Sequence, residues 1–273
     1  MMRFKALPEP AGFAAAVKAS KDEIAKQIKA KQPPDFTGRE KWKDFKKDMA
    51  AATFGKCGYC EVDVWTVDRF KGDVEHYRPK GRIDVSVKQP DGSVATTVQF
   101  ASGYYWLAYE WTNYVLTCNP CNSAHKKNLF PVKAMLAAAP VEGSEANEVP
   151  LLMSPFGRRD PLKHLLFDEF GVVGPRGVSE FGSQTIAVCG LDRGPLRKKR
   201  AKLAKLVRRQ LMVLTDPAAN REAVQLALDT IAGMGSADME HAGMVRAMFT
   251  DATGHPWSFV ERASPSAPPT FEP

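Results

Sequence analysis

The stretch from Thr117 to Asn128 reads TCNPCNSAHKKN, setting two cysteines, several asparagines, a histidine and two lysines side by side. CGYCE, from Cys57 to Glu61, repeats the cysteine spacing, and VEHYRPKG, from Val74 to Gly81, lies between the two. Four thiolates suit a structural Zn²⁺, which prefers tetrahedral sulfur, and a C-x-x-C turn presents two sulfurs to one metal. Cys57, Cys60, Cys118 and Cys121 are therefore expected to hold one zinc ion. The long interval between Cys60 and Cys118 makes that zinc a clamp on the two ends of an inserted structure. Thioredoxin-like redox chemistry is the competing use of C-x-x-C, and two pairs without a βαβ pattern disfavour it.

What lies inside the clamp points to catalysis. Hydrolysis of a phosphodiester needs a base to activate water, a cation to stabilise developing charge, and donors that position the phosphate. His76 has the intrinsic pKa of such a base. A carboxylate such as Glu75 and an amide oxygen are hard ligands suited to Mg²⁺ or Mn²⁺. Arg78 and Lys80 can grip phosphates.

His76, Asn113 and the CNPCN segment from Cys118 to Asn122 resemble the signature of the HNH endonucleases, built on the ββα-metal fold. The resemblance implies that His76 is the general base and Glu75 the adjacent metal ligand. It makes Asn113, in TNYVLTC, the asparagine of the second strand that braces the loop, and Asn122, opening a helix, the last ligand. Lys126, one turn beyond Asn122, shares its helix face and could meet phosphate. His125 is an additional ligand or phosphate contact, or else a helix-surface residue. In an ideal strand Glu75 and His76 point to opposite faces, so both serve one site only if the chain turns there. Asp73 is the alternative carboxylate for the metal, or else a solvated loop residue, and many HNH enzymes carry Asp where this chain has Glu75.

The order of CGYCE, VEHYRPKG, GYYWLAYEW, CNPCNSAHKKNLFPV and a later GLDR segment is similar to the HNH nucleases of Septu and retron anti-phage systems. That likeness implies an effector nuclease whose partner is an SMC-like or ABC-type ATPase. DNA and RNA both remain open as substrates, because such sites grip a backbone and need not read bases. The competing function is a non-catalytic, zinc-dependent nucleic-acid-binding or partner-docking subunit. His76 beside Glu75 discriminates between them, since binding alone requires no base.

The elements that must position these residues make the expected fold class α+β. A zinc-clamped ββα-metal core over 51–135 follows an N-terminal helical segment over 1–50. A mainly helical C-terminal region, 136–262, and a disordered tail, 263–273, complete the chain. Phe13, Val17, Ile24 and Ile28 recur at helical spacing from Ala11 to Lys31, and QPPDFTG ends that helix. A second helix from Arg39 to Thr53 leads into the first cysteine pair. IDVSV and VATTVQF, joined by QPDGS, form a β-hairpin. The aromatics of GYYWLAYEWTNYV belong to the core rather than to a base-stacking platform. Residues 134–150 read as a connection, and HLLFDEFGVVGP as a strand pair in which His164 is structural. From Leu196 to Leu214 a helix carries Leu196, Leu203, Val207, Leu211 and Leu214 along one stripe. Further helices are expected from Arg221 to Ile231 and from Ala237 to Phe249.

Composition narrows the partners. With 44% hydrophobic and 25% charged residues, the chain is expected to be soluble and globular. It has no run of about 18 apolar residues that could span a membrane. MMRFKALPEPAGFAAAVKAS lacks a sustained apolar stretch followed by a cleavage site, so the cytoplasm is the expected location. The net charge of +7 favours a polyanionic partner. From Arg193 to Arg209 the sequence carries nine basic residues and no acidic one. Such a field suits a phosphate-facing or partner-facing surface, against the alternative of a solvated helix face. Five cysteines in a cytosolic chain do not make a disulfide framework. The fifth, Cys189 in TIAVCGL, reads as a small buried hydrophobe.

Overall fold

The computed structural model describes residues 1–6, 8–66, 69–70, 72–88, 91, 94–134 and 138–264. In chain order the elements are α1 (Phe13–Lys29), α2 (Lys46–Thr53), β1 (Trp65–Thr66), β2 (Arg69–Phe70), β3 (Gly72–His76), β4 (Ile83–Lys88), β5 (Val94–Phe100) and β6 (Tyr114–Cys118). There follow β7 (Leu165–Phe167), β8 (Val173–Pro175), α3 (Glu180–Cys189), α4 (Gly194–Leu214), α5 (Arg221–Met234), α6 (Ala242–Thr253) and α7 (Trp257–Ala263). The fold is α+β, with small antiparallel two-stranded sheets among many helices. Among the described residues no helix is long and apolar enough to cross a membrane.

The pair β3–β6 is the frame of the site. His76 stands opposite Tyr114 at one end of the ladder and Gly72 opposite Cys118 at the other. At about 3.4 Å per residue, the ladder separates these ends by about 14 Å. Every residue of β6 is buried, so the strand is fixed by packing on both faces. The hairpin β4–β5 is inserted between the two strands; its expected turn at 89–93 falls, apart from Asp91, outside the described residues. The chain returns from the hairpin through Gly103, where a Cβ would lie 2.2 Å from the Pro79 carbonyl oxygen. Only glycine permits that approach. It lets Gly103 and Tyr104 donate to the Gly81 and Pro79 carbonyls at 3.0 and 2.8 Å, which secures the loop following His76.

Helix α1 buries Phe13, Val17 and Ile24 on one face and leaves its lysines in water. Phe13 meets the rings of Phe45, Trp111 and Tyr114 edge-on, at 5.1, 5.4 and 5.9 Å. Each such pair contributes roughly 0.5–1.5 kcal/mol beyond area burial. The aromatic run lies in the core, with Tyr104, Tyr109 and Tyr114 buried. The second helix starts later than its sequence suggests: a 3-10 turn over Lys41–Phe45 first sends Trp42 inward, and α2 follows. One large apolar cluster joins Phe13, Trp42, Tyr104, Leu116, Val188 and Leu196.

A second cluster gathers Val207 and Leu211 of α4 with Ile231, Phe249 and Val260. The buried face of α4 carries Leu196, Ala204, Val207 and Leu211. Helix α3 has no periodic signature in sequence, because TIAVC is too uniformly apolar to show one. Ser179 begins it by accepting from the Gly182 amide, and Gly190, at φ +57, ends it. Helix α6 begins at Ala242 rather than Ala237. The expected tail overlaps the end of α7 at Ala263; residues 265–273 lie outside the described residues.

Candidate functional site: a four-cysteine centre and a polar cleft

The first cysteine turn is tied down by its own backbone: Cys57 N donates to Val62 O at 2.9 Å and Gly58 N to Leu116 O of β6 at 2.8 Å. Cys118 ends β6, and Cys121 sits in a π-helical turn over Pro120–Lys126, where an α-helix was expected. All four cysteines are buried, and their sulfurs lie within 4.8 Å of one another. The Cys60 and Cys118 sulfurs are 3.6 Å apart. Tetrahedral zinc with Zn–S of about 2.3 Å requires sulfurs about 3.8 Å apart, whereas a disulfide requires about 2.05 Å. The donor set and its spacing therefore fit a structural zinc ion. Cys189 is a separate, fully buried free thiol whose pKa burial pushes far up.

A cleft of about 500 Å³ is lined by Asp73, Glu75, His76, Lys80 and Asn122. His76 is wedged edge-on against Trp42 and Tyr114, with ring centroids at 4.7 and 5.2 Å. Its Nε2 lies 3.0 Å from the Ala108 carbonyl oxygen. A carbonyl can only accept, so Nε2 carries the hydrogen and the lone pair of the neutral ring resides on Nδ1. Nδ1 has no protein partner among the described residues, yet it is not one of the sealed, unsatisfied atoms. The ring that carries it lines the cleft. Burial, aided by Lys80, pushes the His76 pKa well below its ordinary value and keeps the imidazole neutral.

Glu75 and His76 both reach this cleft because β3 stops at His76 and the chain turns away at Tyr77. The Lys126 ammonium donates to Glu75 Oε1 and, at 3.0 Å, to the His76 carbonyl oxygen. Lys126 is fully buried. Its expected place on the helix face of Asn122, meeting phosphate, is thus corrected. In the π-helical turn its stem runs inward, and a buried ammonium demands a carboxylate. Burial raises the Glu75 carboxyl pKa, and Lys126 opposes that rise. Among the described residues only Oε1 of Glu75 accepts a hydrogen bond, from Lys126, and Oε2 has no such partner. Asp73 lines the same cleft, with Lys46 at 3.7 Å.

Asn113 is buried and works on the backbone. Its amide donates to Arg78 O at 3.1 Å and Leu107 O at 3.0 Å, and its Oδ1 accepts from Arg78 N at 2.9 Å. It thus holds the residues directly after His76, while Asn122 lines the cleft itself. Lys80 also lines it, with its ammonium 4.9 Å above the Trp42 ring. Arg78 and His125 lie elsewhere. The Arg78 guanidinium is ion-paired to Glu148 and stacked 4.8 Å over Tyr104 and 4.9 Å over Phe130. Neutralised and buried, it has no charge left for a phosphate. His125 packs on Gly190, where a Cβ would lie 2.4 Å from its ring. His164 bonds Ser179 Oγ through Nδ1 at 2.8 Å, a structural contact. Lys43 and Lys127 line the cleft without having been singled out by sequence. Lys127 adjoins the motif and holds a strained backbone at φ 47, ψ −120. Lys43 comes from the 3-10 turn ahead of α2, far from any motif.

The Arg78–Glu148 pair carries a test of the frame. Removing one partner of a buried ion pair costs roughly 3–5 kcal/mol, so Glu148→Ala is expected to destabilise the protein by about that much in urea unfolding. A loss below about 1 kcal/mol, the range of surface pairs, would mean that the pair is solvated.

These features define an α+β protein with a four-cysteine centre able to hold zinc and a separate polar cleft at a strand end. No protein-family model matches the chain. Over 151 residues it is 38% identical to Septu protein PtuB of Bacillus mycoides (strain KBAB4), a match covering 55% of this chain and 48% of that protein. The chain thus spans about half the length of the curated relative it matches.

Proposed function

We propose that the protein is a metal-dependent HNH endonuclease hydrolysing phosphodiester bonds in nucleic acid, acting as the effector nuclease of an anti-phage defence complex. The observation that carries this reading is the convergence of His76, Glu75 and Asn122 on one polar cleft. Glu75 Oε2 and the Asn122 amide oxygen would hold a Mg²⁺ or Mn²⁺ ion, which supplies charge stabilisation for the phosphate and the departing 3′ oxygen. His76 Nδ1 takes the proton of the attacking water, with its ring held by the Nε2–Ala108 hydrogen bond. Asn113 acts indirectly, by bracing the loop that follows His76. Lys80 and Lys127 offer ammonium groups to the phosphates, while Lys43 pairs with Glu40 of the same cleft at 3.6 Å. The likeness to a Septu protein supports a role in defence and a partner subunit, which we take to be an SMC-like or ABC-type ATPase.

One observation favours a second reading. Lys126 already neutralises Glu75, as suits a zinc-dependent nucleic-acid-binding or partner-docking subunit without cleavage. Incubation with plasmid DNA and with total tRNA, in Mg²⁺, Mn²⁺ or EDTA, separates the two. The nuclease reading requires cleavage that EDTA stops and that His76→Ala loses. Binding without cleavage of either nucleic acid supports the second.

The basic helix α4 refines the expected grip on substrate. Arg197 pairs with Asp192, Lys199 with Glu240 and Arg208 with Glu169. Arg200 is buried, donating to the Leu191 carbonyl, so it does not face outward. Lys198, Lys202, Lys205 and Arg209 are exposed and form no ion pair among the described residues. Their i, i+4, i+7, i+11 spacing puts them on one stripe, opposite the buried Leu196–Val207–Leu211 face. Like charges so spaced cost a helix a few tenths of a kcal/mol per pair, a cost that a polyanion would offset. Reversing all four is expected to weaken nucleic-acid binding and flatten its salt dependence by about 0.7–0.9 in log–log slope per lost phosphate contact. An unchanged slope, read from binding titrations at several salt concentrations, would remove the stripe from the substrate surface.

A further inference from the structure

Arg193 precedes α4 with an extended backbone, at φ −67 and ψ 147, and does not cap the helix with its side chain. Instead the guanidinium turns toward the four-cysteine centre. Nη1 donates to Gly190 O at 2.9 Å, to Cys189 O at 3.3 Å and to Cys121 Sγ at 3.4 Å. Nη2 lies 3.7 Å from both Cys60 Sγ and Cys118 Sγ. One side chain thus reaches three of the four sulfurs, drawn from both C-x-x-C pairs. Nη1 has two hydrogens for its three acceptors, so the bond to Cys121 is shared with a carbonyl, while both Nη2 hydrogens are left for Cys60 and Cys118.

Charge explains why a cation belongs there. Zn²⁺ with four thiolates carries a formal charge of about −2, and a buried net charge is costly unless it is compensated. Other nearby cations are committed. Lys126 serves Glu75, and Lys56 donates to Met239 O at 2.8 Å with Glu61 at 3.8 Å. Among the described residues no other ammonium or guanidinium donates to a cysteine sulfur.

The rest of the GLDR segment holds this cation in place. Gly190 has φ +57, and a Cβ there would strike the His125 ring, which belongs to the same π-helical turn as Cys121. Leu191 is buried. Asp192 accepts from Val173 N at 3.2 Å and from Arg197 Nε at 2.8 Å. The segment joins α3 to α4, so whatever it grips positions both helices.

We propose that Arg193 is the outer-sphere cation of the four-cysteine metal centre, and that through it the bound metal seats α3 and α4 on the nuclease core. Arg193 is a positioning residue, and its role rests on the reading that zinc occupies the four cysteines. Hydrogen bonds to coordinated thiolate draw density from sulfur and slow ligand loss, and the same bonds hold the start of α4 against the centre.

The test uses the full-length zinc-loaded protein with Arg193→Ala and Arg193→Lys. Zinc transfer to the chromogenic chelator 4-(2-pyridylazo)resorcinol is expected to quicken about 10–100-fold in the alanine variant. The lysine variant, which keeps the charge but loses the fork, should fall between it and wild type. After cobalt substitution, the sulfur-to-cobalt charge-transfer bands of the alanine variant should move to lower energy. A change in fold stability alone would not produce that shift. In the zinc-loaded alanine variant, hydrogen exchange over residues 190–197 should rise above that of zinc-loaded wild type, while exchange in β3 and β6 stays at the wild-type level. Release rates and cobalt bands equal to wild type in a folded alanine variant would overturn the outer-sphere role. Unchanged exchange over residues 190–197 in the zinc-loaded alanine variant would overturn the coupling to α3 and α4. Wild type that binds no zinc by elemental analysis would instead remove the metal reading, and this proposal with it.

Discussion

Replacing His76 by alanine is expected to slow phosphodiester cleavage by about 10²–10⁴-fold, the usual contribution of a general base. Zinc content should not change, because the ring lies at the opposite end of the β3–β6 ladder from Cys118. Some stability will be lost with the contacts to Trp42 and Tyr114, on the scale of about 1–3 kcal/mol common for core truncations. The Ala108 carbonyl keeps a partner, since the Tyr114 hydroxyl donates to it at 2.7 Å. A folded variant with wild-type cleavage would move the base elsewhere. The pH profile provides an independent check. The pKa of His76 is depressed below 6.5 by burial, so the native ring stays neutral as pH falls past the point where the unfolded chain takes up its proton. Stability therefore declines below about pH 6.5, and the declining contribution levels off once pH passes below the folded value. The base form follows the same depressed pKa. The acid limb of kcat/KM assigned to His76 is expected below 6.5, and a limb at 7 that disappears in the His76 variant would contradict this environment.

Removing the metal is expected to have the largest effect on the fold. Structural zinc sites contribute apparent binding energies of about 10–16 kcal/mol at neutral pH, against total stabilities of about 5–15 kcal/mol for whole domains. Chelation, or Cys121→Ser, should therefore abolish the cooperative unfolding transition of the core rather than merely lower its midpoint. The four thiols would otherwise leave a crowded polar cluster inside the main apolar cluster, where Cys57, Cys60, Cys118 and Cys121 are all buried. Elemental analysis should find about one zinc per chain. A metal-free protein that melts like the zinc-loaded one would rule out a structural metal.

The sequence by itself determined what depends on near neighbours. C-x-x-C spacing brings two sulfurs within reach of one ion, and the period of Leu196, Val207 and Leu211 selects the buried face of α4. Alternating residues in IDVSV and VATTVQF specify a hairpin, and His76 beside Glu75 marks a place for acid–base chemistry. Helix α3 is not legible in sequence because a segment apolar on several sides has no period. The tertiary structure decided the fate of the charges. Arg78, Lys126, Arg193 and Arg200 look alike in sequence as free cations. In the fold they meet Glu148, Glu75, the cysteine sulfurs and the Leu191 carbonyl, respectively. Lys198, Lys202, Lys205 and Arg209 remain in water. A hydrophobic residue's place follows from its position in a repeating pattern, but a charge's role follows from which opposite charge reaches it. For Arg78, Lys126 and the three sulfurs that Arg193 reaches, that partner lies dozens of residues away along the chain, and only folding brings the two together.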